Sequence, residues 1–287
     1  MNPEGPMAWM NGTWANQADV RLPLDDAMVV HGAGLVEVAR TWSGRPVFLG
    51  RHIDRFLRAA GEMGLRLPVS GKNDLADLAN QYLLKLPPDL SSIDRHIVFL
   101  ATPGSPGQPL ATLVVHGRPL DSRLHQIFRT SGAHLTRSAV GALPSNVIPS
   151  HWKHRSRLHW FLAGQQSNGI PLLESANGGI TETAIGHVVA VFGTPDQPVL
   201  TAPPENLVLP GITLELVRAL AAELGYAWER RLFHWSELAS AHEILLVGSG
   251  FGVAGVSNLD GLSQNWPGPI TRAIEIAFAK RVAMPIQ

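Results

Sequence analysis

Short apolar runs cut by tight-turn pairs dominate this sequence, and that punctuation constrains the fold more than any other feature. Asn11-Gly12 parts Met7–Met10 from a segment beginning at Thr13, and Ser43-Gly44 parts Leu35–Trp42 from a return strand over 46–49, so both read as hairpins. Asp25 and Asp26 precede a glycine-bearing approach, His31-Gly32-Ala33-Gly34, to the second of these. A helix beginning near Arg51 carries Ile53, Phe56, Leu57, Ala60 and Met63 on one side, and another over 74–84 ends before Pro87-Pro88. Strands over 97–101 and 110–115, joined by a Pro/Gly-rich loop, complete an alternation of hairpins and helices that implies an α+β domain over 1–116.

Residues 117–122, Gly-Arg-Pro-Leu-Asp-Ser, are the expected linker to a second domain over 123–287. There, strands are expected over 126–130, 171–173, 188–192, 228–233 and 244–247. Helices are expected over 158–166, 214–224 and 269–280, with Thr213 as N-cap of the middle one. Asn177-Gly178-Gly179 marks a tight turn before Ile180-Thr181-Glu182. No internal repeat interrupts the series.

Composition removes several function classes. The chain has no cysteine, which excludes disulfides, thiolate catalysis and zinc–thiolate sites. The 23 basic side chains balance 23 acidic ones, so no electrostatic case for nucleic acid arises. Met1–Trp9 lacks the flanks of a signal peptide, and no apolar run is long enough to cross a bilayer, so a cytoplasmic protein without membrane contact is expected.

Lysine is scarce: only Lys72, Lys85, Lys153 and Lys280 occur. Three of them sit near helix ends, where solubility explains them. Lys153 instead lies in Pro-Ser-His-Trp-Lys-His-Arg-Ser-Arg, residues 149–157, just before the helix expected from Leu158. The residue types suit a solvated basic turn, and equally an amine whose pKa is lowered by neighbouring positive charge and which can form a Schiff base with an aldehyde. Three further features suit an anion: the helix start at Gly211-Ile212-Thr213, the run Gly248-Ser249-Gly250-Phe251-Gly252, and Arg55. The glycine run is too short and wrongly ordered for a nucleotide-hydrolase phosphate loop, so phosphate on a small cofactor fits better. By residue type alone, Arg55 and Glu182 also read as solvated surface residues.

Taken in order, Asn11-Gly12, Gly34-Leu35-Val36-Glu37-Val38-Ala39-Arg40, His52-Ile53-Asp54-Arg55-Phe56, Lys153, Gly179-Ile180-Thr181-Glu182, Gly211-Ile212-Thr213 and Gly248-Ser249 resemble the motifs of the fold-type IV pyridoxal-phosphate enzymes. That family includes branched-chain and D-amino acid aminotransferases and aminodeoxychorismate lyases. The resemblance implies an N-terminal α/β sandwich followed by a pseudobarrel-like α/β domain. It also implies that Lys153 holds pyridoxal 5'-phosphate as an internal aldimine and shuttles the substrate α proton, while Glu182 faces the pyridine nitrogen and keeps it protonated. Arg55, the amides of Ile212 and Thr213, and the Ser249 hydroxyl then hold the phosphate, and Val36, Gly250 and His154 border the substrate.

Three departures bear on substrate. Val36 stands where an aromatic residue is usual, no arginine lies between the ends of the strand Ile97 to Thr102, and His187 replaces the asparagine that follows the Glu182 motif. Arg95 is too early to supply the missing arginine. His187 reads either as a packed strand histidine or as a partner of a site residue. His151, His154 and His159 are closely spaced but have no carboxylate nearby, so no metal site is expected. His154 and Arg155 are instead expected to tune Lys153 or to meet a substrate carboxylate.

The resemblance implies an aminotransferase acting on a small amino acid and a keto acid, working as a homodimer. The alternatives are elimination of pyruvate from a ring-bearing substrate, as in aminodeoxychorismate lyase, and a family member that has lost turnover.

Overall fold

The computed structural model describes residues 6–283. The first residues of Met1–Trp9 and the last of 123–287 lie outside that range. The chain forms two compact units: one holds the described residues through Leu120 together with Trp152–Arg157, and the other holds Asp121–His151 and the described residues from Leu158 onward.

In the first unit, β1 (Met7–Met10) and β2 (Thr13–Asn16) meet across Asn11 and Gly12, both at positive φ, as the Asn-Gly pair predicts. A short helix α1 (Ala27–His31), capped by Asp26, precedes β3 (Leu35–Trp42) and β4 (Arg45–Val47). Helices α2 (Leu49–Glu62), α3 (Lys72–Leu84) and α4 (Pro88–Ser91) follow, then β5 (Arg95–Thr102) and β6 (Thr112–Pro119). The six strands form an antiparallel sheet in the order β2-β1-β6-β5-β3-β4. Strand alternation sends Leu35, Ala39, Ile97, Phe99, Leu113 and Val115 to one face, where they pack with Ile53, Phe56, Leu75 and Tyr82 from α2 and α3.

The second unit begins with α5 (Ser122–Thr130), β7 (Ala133–Arg137) and α6 (Leu158–Gln165). Next come β8 (Ile170–Glu174), β9 (Ile180–Thr183), β10 (His187–Thr194), β11 (Gln197–Ala202), α7 (Ile212–Glu223) and β12 (Ala227–Arg230). The last elements are α8 (Trp235–Ala239), β13 (Glu243–Gly248), β14 (Gly252–Leu259), β15 (Leu262–Ser263) and α9 (Pro269–Ala283). The sheet runs β12-β11-β10-β13-β14-β7-β8-β9, and a pairing of β9 with β10 closes its central strands into a barrel. Leu135, Leu172, Ile180, Val188, Ile244, Leu246 and Val256 are part of its apolar core. Glu243, 1% exposed, accepts hydrogen bonds from the amides of Ile270 (3.0 Å) and Thr271 (2.7 Å), so a buried carboxylate caps α9.

Several expectations need correction. Within the stretch expected as a linker, residues 117–119 end β6, paired with Arg95, His96 and Ile97, and the two units change over between Leu120 and Asp121. Asp121 is the N-cap of α5, accepting from the Leu124 amide at 3.0 Å. Residues 126–130 are therefore helical rather than a strand, because that cap starts a helix that buries Phe128. The N-cap of α7 is Gly211, and Thr213 lies in its first turn. Residues 152–157 pack with the first unit, although a single boundary at 117–122 would put them in the second.

Candidate active site

In the first unit, β3 and α2 bring three charged or ionisable groups into contact. Glu37 points to the helix-covered face of the sheet, and from α2 His52 and Arg55 meet it one turn apart. Arg55 donates from Nε to Oε2 (2.8 Å) and from Nη2 to Oε1 (2.7 Å), and His52 Nδ1 lies 2.9 Å from Oε1. Glu37 and His52 are 1% and 2% exposed. Burial alone would raise the Glu37 pKa, but Arg55 and His52 outweigh it and hold the carboxyl far below its ordinary range. Burial keeps His52 below its usual pKa despite the carboxylate, so the neutral ring donates from Nδ1. Arg55 is thus not on a solvated face: its Nε and Nη2 are engaged by Glu37.

Lys153 belongs to this unit through backbone pairing. The Val36 amide donates to the Lys153 carbonyl (2.8 Å) and the Arg155 amide donates to the Gly34 carbonyl (2.7 Å), with His154 opposite Leu35. The Trp152 indole donates to Glu62 (2.7 Å) and the Ser156 hydroxyl to the Gly32 carbonyl (2.9 Å). Arg55 and, to a smaller extent, Lys153 add to burial in lowering the His52 pKa. Because neighbouring residues of an extended chain point to opposite sides, His154 shares the side of Leu35 rather than that of buried Val36.

The other face of the same sheet carries cations. Register places His116 opposite Val98 and Arg118 opposite His96, on the face of Val36 and Val38. Burial, with Arg155 and Arg118 nearby, pushes His116 down to about 4, and burial with Arg118 lowers Arg155. Arg95 is elsewhere: it is 1% exposed, donates to the Tyr82 hydroxyl (2.8 Å) in the core, and is unavailable to a substrate.

In the second unit, Glu182 on β9 lies directly across from His187 at the start of β10, with His187 Nδ1 3.1 Å from Oε2. At the mouth of α7, Gly211 provides no side-chain cap for the first amides of the helix. Thr213 and Ser249, the latter in the β13–β14 hairpin, bring their hydroxyl oxygens within 3.1 Å of each other. The Gly250 carbonyl accepts a hydrogen bond from His125 Nε2 (3.0 Å). Uncapped amides beside two hydroxyls are a donor set suited to a phosphate, so the residues fit the phosphate end of pyridoxal phosphate.

Sequence reasoning missed Glu37 as a site residue, although a carboxylate inside an apolar strand, with His52-x-x-Arg55 following, was a usable signal. It also missed Thr213 as a hydroxyl donor, Arg118 and His116. Among the described residues no group of three or more His, Asp or Glu side chains suits a metal ion, and His151, His154 and His159 do not form one. No helix among them is long and apolar enough to cross a membrane.

Residues 34–259 match the family model described as amino-transferase class IV. The chain is 23% identical over 282 residues to a D-alanine aminotransferase of Staphylococcus aureus strain MSSA476, covering 96% of this chain and 97% of that protein. It is 22% identical to the D-alanine aminotransferase of Listeria monocytogenes serotype 4b strain F2365, covering 95% of each. The branched-chain aminotransferase of Thermoproteus uzoniensis with norvaline superposes with a TM-score of 0.85 at 20% identity, over 96% of this chain and 94% of that one. The branched-chain amino acid aminotransferase of Escherichia coli gives 0.85 at 22% identity, over 96% and 94%. The architecture of two sheet-based units, the second closed into a barrel, is that of these proteins.

Proposed function

The chain belongs to the amino-transferase class IV family, and we propose that it moves an amino group between a small amino acid and a keto acid with pyridoxal 5'-phosphate as cofactor. The observation that carries this reading is the clamping of Lys153: its own carbonyl and the amide of Arg155 hydrogen-bond to Val36 and Gly34, pinning one of only four lysines to the start of the strand that carries Glu37. A solvated basic turn has no need of that pairing.

When bound, the cofactor supplies an electron-withdrawing ring that stabilises negative charge at the substrate α carbon. Lys153 Nζ would hold the cofactor through its aldehyde carbon and, as a free amine, would carry the α proton between the substrate α carbon and that cofactor carbon. The Glu182 carboxylate keeps a proton on the ring nitrogen. The amides of Ile212 and Thr213, with the Thr213 and Ser249 hydroxyls, bind the phosphate. Arg55 holds Glu37 through Nε and Nη2 and is, with those amides and hydroxyls, a proposed holder of the phosphate through its charge.

Arg155 and Arg118 are the proposed receptors for a substrate carboxylate. Their mutual repulsion, shared with His116, is relieved by an anion. The proposed partner is a second copy of the chain, supported by Leu158, Phe161 and Leu162 on α6, which are 68%, 62% and 42% exposed.

The test is product formation by purified protein loaded with pyridoxal phosphate. Keto acid released only when both an amino donor and a keto acceptor are present supports transamination. Pyruvate released from aminodeoxychorismate without an acceptor would replace this reading with elimination.

A further inference from the structure

His187 touches two parts of the second unit at once. Its Nδ1 edge lies at ion-pair distance, 3.1 Å, from Oε2 of Glu182, without the alignment of a linear hydrogen bond. Its Nε2 edge faces Gly211: a methyl group added at that glycine would stand 2.3 Å from Nε2 and 2.6 Å from Cδ2. Gly211 is the N-cap of α7 and has φ −75°, a conformation open to any residue, so the close ring rather than the backbone explains the absence of a side chain. The His187 side chain is 7% exposed.

The register of this contact is fixed. Thr183, next to Glu182, donates its hydroxyl to the Gly186 carbonyl (2.8 Å) and accepts from the Gly186 amide (3.0 Å), closing the turn between β9 and β10. A slip of one residue would break both bonds and move His187 to the opposite side of the strand. On its other side β10 pairs His187 with Val247 of β13, two residues before Ser249. Glu182 is the less restrained partner, with its side chain 24% exposed.

We propose that His187 is a positioning residue that orients the Glu182 carboxylate, and that Gly211 is required as glycine so that the ring can rest between that carboxylate and the start of α7. The inference rests on the reading of Glu182 as the partner of the cofactor ring nitrogen. One side chain then couples the group that tunes the ring to the helix whose amides bind the phosphate.

The test measures binding of pyridoxal phosphate and the absorbance of the bound cofactor without substrate, in wild type, Glu182→Gln, His187→Ala, His187→Asn, Gly211→Ala and the double variant Glu182→Gln/His187→Ala. Thermal unfolding of each verifies folding. The expected result is about a tenfold loss of affinity in His187→Ala and in Gly211→Ala. Both should shift the bound absorbance band in the direction seen in Glu182→Gln, and His187→Asn should recover most of the loss. The double variant should be no weaker than Glu182→Gln alone, because His187 acts through that carboxylate. Additive losses, or wild-type affinity and spectrum in both His187→Ala and Gly211→Ala, would overturn the proposal while leaving the role of Glu182 intact. A wild-type spectrum and affinity in Glu182→Gln would overturn both. If His187→Ala does not fold, Gly211→Ala and His187→Asn decide the question by the same readouts.

Discussion

Arg55 forks onto Glu37, with Nε 2.8 Å from Oε2 and Nη2 2.7 Å from Oε1, and the carboxylate side chain so held is 1% exposed. Removing one partner of such a pair strands the other charge in the interior. Glu37→Gln is therefore expected to cost about 3–5 kcal/mol of stability. The exposed pair of Arg218 and Glu215 provides the contrast: with side chains 56% and 33% exposed, its disruption by Arg218→Gln should cost less than ~1 kcal/mol. Urea unfolding of the two variants measures the difference, and equal costs would contradict the role given to the Glu37 cluster.

The same carboxylate makes stability depend on acid. Its folded pKa is depressed, so its contribution is complete above the ordinary carboxylate pKa and is lost as pH falls below that value toward the folded one. Wild type should lose more stability than Glu37→Gln as pH falls from 5 towards 3, at about 1.4 kcal/mol per pH unit at most for one group. Parallel losses in the two proteins would count against it.

His116 titrates in a different window. Its folded pKa of about 4 lies below the usual 6.5, so the unfolded chain binds the extra proton between those values and stability falls as pH drops through them. The loss is on the order of 2 kcal/mol after discounting the partial exposure of the ring, and His116→Gln should remove it. Unfolding midpoints at pH 7 and pH 4.5 measure the effect. An unchanged slope in the variant would show that the ring is not held neutral.

Much of this architecture is legible in the residues, and the parts that are not share a cause. The Asn11-Gly12 hairpin, the strand β3 ahead of the Ser43-Gly44 turn and the buried side of α2 follow from local rules. Glu37 and Arg55 are 18 positions apart, and nothing local says that a helix arginine turns inward to a strand carboxylate. The pairing of Lys153 and Arg155 with Val36 and Gly34 is likewise non-local, so a reading by sequence order assigns that segment to the second half of the chain. For α5 the signal is present: Asp121 followed by Ser-Arg-Leu is a cap, masked because Gln126-Ile127-Phe128-Arg129-Thr130 also suits a strand. At α7, Thr213 has the right chemistry for a cap, but Gly211 takes that place, leaving the threonine hydroxyl beside Ser249.

That pair of hydroxyls yields a prediction for the cofactor. Thr213→Ala and Ser249→Ala should each weaken pyridoxal phosphate binding by about 1.5–3 kcal/mol, the range for hydrogen bonds to a charged group. Pyridoxal without its phosphate should bind wild type and variants alike. Equal losses for both ligands would place the hydroxyls away from the phosphate.

On the sheet face of the first unit, Arg155→Met and Arg118→Met should raise KM for the keto acid about 10- to 100-fold, with a smaller change in kcat, since they remove binding to a carboxylate rather than a proton-transfer group. Steady-state kinetics with the loaded enzyme separate the two parameters, and an unchanged KM in both variants would remove the arginines from substrate recognition.

The central claim, that Lys153 holds the cofactor and moves the proton, is tested most directly by the absorbance spectrum of the protein loaded with pyridoxal phosphate and titrated with a panel of L- and D-amino acids, in wild type and Lys153→Ala. Wild type should show the visible band of lysine-bound cofactor and convert it, with some amino acids of one hand, to the shorter-wavelength band of the amine form. Lys153→Ala should show neither the band nor the conversion. A normal band and full conversion in Lys153→Ala would contradict the account.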